Sequence, residues 1–238
     1  MLASHAIMPE QSRHVVIVGG GIIGASIAYY MSRRSDCPKV TLLESSKTLA
    51  PGASGKAGGF LALDWHGTST ASLAALSFEL HRELAEKENG AERWGYRCVE
   101  THQLSLDTSR KARHRPKIGW LNSDVFISTS LIGGGGSTAQ VTPGPLTEFL
   151  GERAQEVGVQ ILLQTKATGL DLTEDGKVQG VKIQQAGEDK VLPATDVIVA
   201  AGPWTGKLLK TWFPSDKMPP FLRSASMIEG SRSHSVLV

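Results

Sequence analysis

The stretch Val15 to Gly24, VVIVGGGIIG, constrains this chain more than any other. Four β-branched residues predict a buried strand, and the glycines then break it into a tight turn. Apolar Ile22, Ile23, Ile27, Ala28 and Met31 follow at helical spacing, and Arg33 and Arg34 sit where a helix C-terminus favours cations. A second apolar run, KVTLLE, ends at the acid Glu44. Strand, glycine turn, helix start and a distant acid together predict a dinucleotide site. Gly19 permits the turn, Gly21 lets a pyrophosphate approach the backbone, and Gly24 lets the helix pack closely on the sheet. Unpaired amides at the helix start face the phosphate charge. Glu44 would accept hydrogen bonds from the adenosine ribose hydroxyls and repel a 2′-phosphate, which argues against NADP.

The 238 residues, 40% of them apolar, suffice for one large or two small domains. A net charge of +2 is too balanced to argue for nucleic acid or an anionic membrane surface. The basic run Arg110 to Lys117 reads as a solvated loop. Cys37 and Cys98 lie outside any metal-spaced pattern, so neither a disulfide nor a bound metal is expected. No apolar run reaches the length of about 18 residues that spans a bilayer, and residues 1–14 lack the charged start and long apolar core of a secretory signal. A cytoplasmic address is the expectation.

After Glu44 the pattern leaves that of a nicotinamide-binding domain, which continues with another helix and parallel strand. Instead comes the small-residue loop Ala50 to Phe60, APGASGKAGGF, able to bring several amides close to a ligand. A helix is predicted from Thr70 to Asn89, with Leu73, Leu76, Leu80 and Leu84 on one stripe, then a strand from Arg97 to Leu106. A second helix is predicted from near Pro145 to Gly158. VQILL, ATGLDL, KVQGVKI and KVL then read as an antiparallel meander with a hairpin turn at Asp175-Gly176. A fully apolar strand, Val197 to Ala201, runs into Gly202-Pro203-Trp204-Thr205, a second glycine turn of the kind a flavoprotein uses. The Gly133 to Gly136 run is expected to be a loop, and Trp65, Trp94 and Trp120 are expected to be packing residues.

Taken in order, GGGIIG, Glu44, GASGKAGG, TAQVTPGPLTEFL (138–150) and VIVAAGPWT (197–205) resemble the D-amino-acid oxidase, glycine oxidase and sarcosine oxidase superfamily of FAD-dependent oxidoreductases. The resemblance runs from Val15 to about Leu209. It implies an α/β fold: a Rossmann-like FAD-binding domain with a β-meander, plus part of a second, antiparallel-sheet substrate domain. The expected division is an N-terminal tail at 1–14, FAD-binding parts at 15–90 and 136–215, and substrate-domain parts at 91–135 and 216–238. Because such proteins run on for another hundred residues or more, a C-terminally truncated chain with impaired activity is expected.

By position, the resemblance implies that Gly19, Gly21, Ile22, Ile23 and Gly24 hold the FAD pyrophosphate and Glu44 and Ser45 the adenosine. Ala53, Ser54, Gly55, Lys56, Ala57, Gly58 and Gly59 would pass beside the phosphates and flavin ring. Ala167 would offer a backbone group to the adenine, at a place where valine is usual, and Ala201, Gly202 and Trp204 would close over the cofactor. FAD is expected to be noncovalent. The implied reaction is oxidation of a C–N bond in a small amine or amino acid, with hydride transfer to flavin N5. Lys56 and His66 are the candidate catalytic residues. A nicotinamide-dependent dehydrogenase sharing only the first motif, and a noncatalytic chain, are the alternatives the residues leave open.

Overall fold

In the computed structural model, residues 13–107, 109 and 126–213 are described. They form two units, one made of the described residues up to Ala57 and from Pro143 onward, the other Gly58–Thr142.

The first unit is built on a parallel sheet. Strand β1 (His14–Val18) lies between β2 (Lys39–Leu43) and β12 (Asp196–Val199), and β8 (Gln160–Leu162) adds to the far side of β2. Every residue of β1 is buried, as expected of a strand covered on both faces. The strand's alternation splits its side chains between two cores. Val15 and Ile17 join Val40, Leu42, Ala28 of α1 (Ile22–Met31) and Ala154 of α5 (Pro143–Glu156). Val16 and Val18 join Leu43 and, from the meander, Ala167, Val181 and Ile183. That meander is β9 (Thr165–Leu172), β10 (Val178–Gln185) and β11 (Glu188–Pro193), and α6 (Thr205–Trp212) packs on the same side. Helices α1 and α5 thus cover one face of the parallel sheet, and the meander with α6 covers the other.

Several local expectations are corrected. VQILL is not a meander strand: it pairs parallel with β2, Leu42 opposite Ile161. A chain returning from α5 re-enters the sheet in the direction of β2, as a helical crossover demands. His14, assigned from the sequence to the tail, begins β1, and Arg13 makes two hydrogen bonds to Asp196 at 3.0 and 3.1 Å. The Asp175-Gly176 turn is as expected, with Gly176 at φ +80° and its amide donating to the Thr173 carbonyl. A second hairpin turns at Ala186-Gly187, both at positive φ.

The second unit contains a short antiparallel sheet, β3 (Phe60–Ala62), β7 (Thr138–Gln140) and β4 (Arg97–Cys98), and a ribbon of β5 (Thr101–Leu106) with β6 (Phe126–Gly133). The single strand predicted at 97–106 is therefore two, each with its own partner. Helix α3 (Ala71–Glu88) ends at left-handed Asn89 and leads into α4 (Gly90–Trp94). Its leucines are not its core face: Leu73, Leu76 and Leu80 are exposed, whereas Ala74 and Ala85 are buried. Trp94 is buried, and a side chain on Gly90 would lie 2.5 Å from its ring. Trp65 is exposed and donates to the Ile132 carbonyl, so it is not a core residue. Of the loop expected at Gly133 to Gly136, Gly134 to Gly136 lie in the turn into β7, whereas Gly133 ends β6. Arg110 to Lys117, Trp120 and residues 216–238 lie outside the described residues.

Cys37 and Cys98 are free, exposed thiols. Among the described residues no helix is long and apolar enough to cross a membrane, and no cluster of His, Cys, Asp and Glu is placed to hold a metal ion.

Candidate cofactor site

Ligands of open α/β sheets gather outside the carboxyl ends of the strands, and a cavity of about 530 Å³ lies there, across the ends of β12, β1 and β2. Its floor is the first glycine turn. Gly19, at φ +117°, leaves β1 with its amide donating to the Leu43 carbonyl at 2.8 Å. A side chain there would stand 2.4 Å from the Ala200 carbonyl oxygen. Gly24 is fixed by packing: its missing Cβ would meet the Gly19 carbonyl oxygen at 1.9 Å, so only glycine lets α1 sit this close to the turn. Gly21 is different. The nearest atom to an added Cβ is the Ser54 hydroxyl, at 3.0 Å, which leaves its backbone open to the cavity.

Glu44 is buried at one end. Its Oε2 accepts the Gly20 amide at 2.9 Å, and its Oε1 accepts the Ser46 amide at 2.8 Å and the Ser45 hydroxyl at 3.2 Å. The carboxylate therefore holds the glycine turn and the exit of β2 together while lining the cavity. The Glu44 carbonyl accepts the Thr165 amide at 2.9 Å, which fixes the start of β9 beside it.

At the β12 side, the loop from Pro51 to Lys56 folds over the sheet end. Helix α2 (Ala53–Lys56) forms within it, and Gly55 lies so close to Ala50 that a Cβ would stand 2.2 Å from the Ala50 carbonyl oxygen. Helix α1 has no cap from its own N-terminal residue. Ser54 supplies one from a distance, its Oγ accepting the Ile22 amide at 2.9 Å. The hydroxyl proton of Ser54 has no acceptor among the described residues, so the group can donate to an incoming anion. Trp204 is 57% exposed and lies over Gly52, where a Cβ would meet its ring at 3.3 Å.

Of the residues singled out from the sequence, the cavity is lined by Gly19, Gly21, Ile22, Ile23, Glu44, Ser45, Ala53, Ser54, Lys56, Ala167, Ala201, Gly202 and Trp204. Gly24, Gly55 and Ala57 do not line it; Gly24 and Gly55 shape the backbone beneath it. Gly58 and Gly59 belong to the second unit, where the Gly59 carbonyl accepts the Val141 amide at the end of β7. His66 lines another cavity, of about 370 Å³, within that unit, with Phe60 and Phe78. Sequence reasoning missed Gly20, Ser46, Gly52, Thr165, Lys166 and Leu208, of which all but Gly20 line the first cavity. Gly20 stood inside the glycine run and signalled its role by position; Thr165 and Lys166 carried no signal until β9 was placed against Glu44.

The donor set fits a dinucleotide. Backbone amides at the start of α1, an uncommitted hydroxyl and two lysines suit a diphosphate, and the carboxylate at the β2 end suits ribose hydroxyls.

The sequence matches the family described as FAD dependent oxidoreductase (DAO) over residues 14–235, and the chain belongs to that family. It is 34% identical over 247 residues to a Schizosaccharomyces pombe protein named as an oxidoreductase, covering 96% of this chain and 61% of that protein. It is 29% identical over 228 residues to the 4-methylaminobutanoate oxidase (formaldehyde-forming) of Paenarthrobacter nicotinovorans, covering 87% of this chain and 26% of that one. The fold is similar to the crystal structure of glycine oxidase from Bacillus cereus, with a TM-score of 0.65 at 22% identity over 82% of this chain and 58% of that one. The chain therefore spans less than two thirds of the length of these proteins. Family membership sets aside the nicotinamide alternative.

Proposed function

We propose that the cavity holds FAD noncovalently and that the protein serves the oxidation of a C–N bond in a small amine or amino acid. The observation that carries this reading is the convergence, at one sheet end, of the open Gly21 backbone, the capped start of α1, Glu44 and two lysines. The chemistry FAD supplies when bound is acceptance of a hydride at N5 from the carbon beside the substrate amine. The chain's own part is to bind and orient. The first turn of α1 and Ser54 would take the diphosphate, Glu44 the adenosine ribose, and Ala167 the adenine through its backbone. Ala201, Gly202 and Trp204 would cover the cofactor. Lys56 would place a cation near the flavin, favouring its reduced anionic form. The amine donor class is supported by the relative named as an oxidase of 4-methylaminobutanoate. His66 is the weaker of the two catalytic candidates. The cytoplasmic address expected from the sequence, and the division into FAD-binding and substrate parts, belong to the same proposal.

The test is an absorption spectrum of the purified chain after FAD reconstitution and desalting. Retained, protein-shifted flavin bands support the cofactor assignment; a colourless chain overturns it for these 238 residues. Anaerobic bleaching of retained flavin by 4-methylaminobutanoate or glycine supports the donor class. Reduction by dithionite but by neither amine counts against it.

A further inference from the structure

The first cavity has three ionisable groups in its lining: Glu44, Lys56 and Lys166. Glu44 already has both oxygens engaged by two amides and a hydroxyl. Lys56 and Lys166 have no ion-pair partner among the described residues. Elsewhere in the meander region Lys177 pairs with Asp175 and Lys190 with Glu188, each at 2.7 Å, whereas Lys166 and Lys182 have no such partner among the described residues. Lys182, on the strand opposite, lies with its stem along Gly169.

Thr165, Lys166 and Ala167 all line the cavity, and the alternation of β9 puts the Lys166 side chain on the face opposite the other two. Thr165 and Ala167 are buried, and Ala167 belongs to the core between the parallel sheet and the meander. Lys166, between them, is exposed and lines the cavity. The hydrogen bond from the Thr165 amide to the Glu44 carbonyl sets it at the β2 end of the cavity, away from the β12 end where Trp204 covers Gly52. Lys166 therefore lines the same end of the cavity as Glu44. An unpaired ammonium in a cleft beside open amides attracts phosphate.

We infer that Lys166 is a second cation of the dinucleotide site, one that counter-charges the adenosine diphosphate half of the ligand. This rests on the FAD reading above and adds a residue that the glycine motif does not contain. Because the interaction belongs to the half that FAD shares with ADP, its loss must weaken both ligands by the same factor. The side chain is exposed, so its replacement leaves the core intact.

The experiment measures Kd for FAD by fluorescence quenching and for ADP by calorimetry, in the wild-type chain and in Lys166→Met and Lys166→Glu, with thermal midpoints as a check on folding. Lys166→Met keeps the stem and is expected to raise both Kd values about threefold; Lys166→Glu is expected to raise both about tenfold. The salt dependence of ADP binding should be shallower in Lys166→Met than in wild type. Unchanged FAD and ADP affinities in both variants overturn the assignment. Weakened FAD with unchanged ADP also overturns it, by moving Lys166 to the flavin half. A wild-type chain that binds neither ligand overturns the FAD reading itself, and this assignment with it.

Discussion

The Glu44 carboxylate holds the site together before any ligand arrives, and Glu44→Gln isolates that role. The wild-type side chain accepts the Gly20 amide on one oxygen and the Ser46 amide on the other, at 2.9 and 2.8 Å. Glutamine has the same shape but one carbonyl oxygen, so whichever way it turns, its NH₂ must face one of those two amide donors. One charge-assisted hydrogen bond is lost, and a buried N–H is left against another donor. The Ser45 hydroxyl, which donates to Oε1 at 3.2 Å, can rotate and lessen the conflict only if the NH₂ lies on its side. A hydrogen bond to a charged group contributes about 1.5–3 kcal/mol and a stranded buried donor costs about 1–3 kcal/mol; the two overlap, because the stranded amide is the one whose bond is lost, so a loss of about 2–4 kcal/mol is expected. Urea unfolding of the FAD-free chain measures it, as a lower midpoint at unchanged m-value. A loss below about 0.5 kcal/mol would refute the argument that this carboxylate organises the turn. FAD affinity is a separate readout: Glu44→Ala should weaken it more than Lys56→Ala, and equal affinities would count against the ribose assignment.

The glycines should separate by role. Gly24→Ala must move α1, since its Cβ would stand 1.9 Å from the Gly19 carbonyl oxygen, and should cost about 3 kcal/mol in the FAD-free chain; Gly21→Ala meets only the Ser54 side chain and should cost under about 1 kcal/mol while abolishing FAD retention on desalting. Ser54→Ala removes the cap on the Ile22 amide and should lower FAD-free stability by about 1 kcal/mol, read from the urea midpoint. His14, buried at the start of β1 with its Nε2 2.9 Å from the Thr41 hydroxyl, is held below its ordinary pKa, first by burial and then by the charge of Lys39. The unfolded chain therefore takes up this proton first, and the stability that His14 contributes above about pH 6.5 is lost as pH falls below it. His14→Gln should flatten the change in urea midpoint between pH 7.5 and 5.5, and an equally steep change in both chains would refute the assignment.

Where one physical rule acts alone, the sequence is legible. VVIV must be a buried strand, GGGIIG must be a turn into a helix, and Asp175-Gly176 must reverse a hairpin, because each depends on local dihedral freedom or on unbroken apolarity. Legibility fails where partners decide. VQILL has the same strand propensity in either sheet, and only its arrival from α5 makes it parallel to β2. On α3 the large leucines suggested the core face, yet close packing selected Ala74 and Ala85. The strand predicted at 97–106 breaks because Cys98 pairs with β7 and Thr101 with β6. The site divides the same way. Glycine positions and Glu44 follow from the motif, whereas Lys166 and Thr165 reach the cavity only through a hydrogen bond to the end of β2.

That hydrogen bond illustrates how the cavity is assembled. One part of its wall comes from the chain up to Lys56, with the turn at Gly19, the exit of β2 and the α2 loop; the other comes from beyond Pro143, with the start of β9 and the turn at Gly202. The parallel sheet crosses the same gap twice, since β12 pairs with β1 and β8 with β2. Loop closure over so long an excursion is entropically costly and must be offset by contacts made across it. Val15, Ile17, Val40 and Leu42 supply apolar area for this, and they are the same residues that bring Gly19 beneath Ala200 and Glu44 beside Thr165. The fold and the site therefore share one set of closures. A substitution that loosens the sheet at its carboxyl end therefore acts on the cavity as well as on the core, and a ligand spanning Glu44 to Trp204 would hold both segments at once.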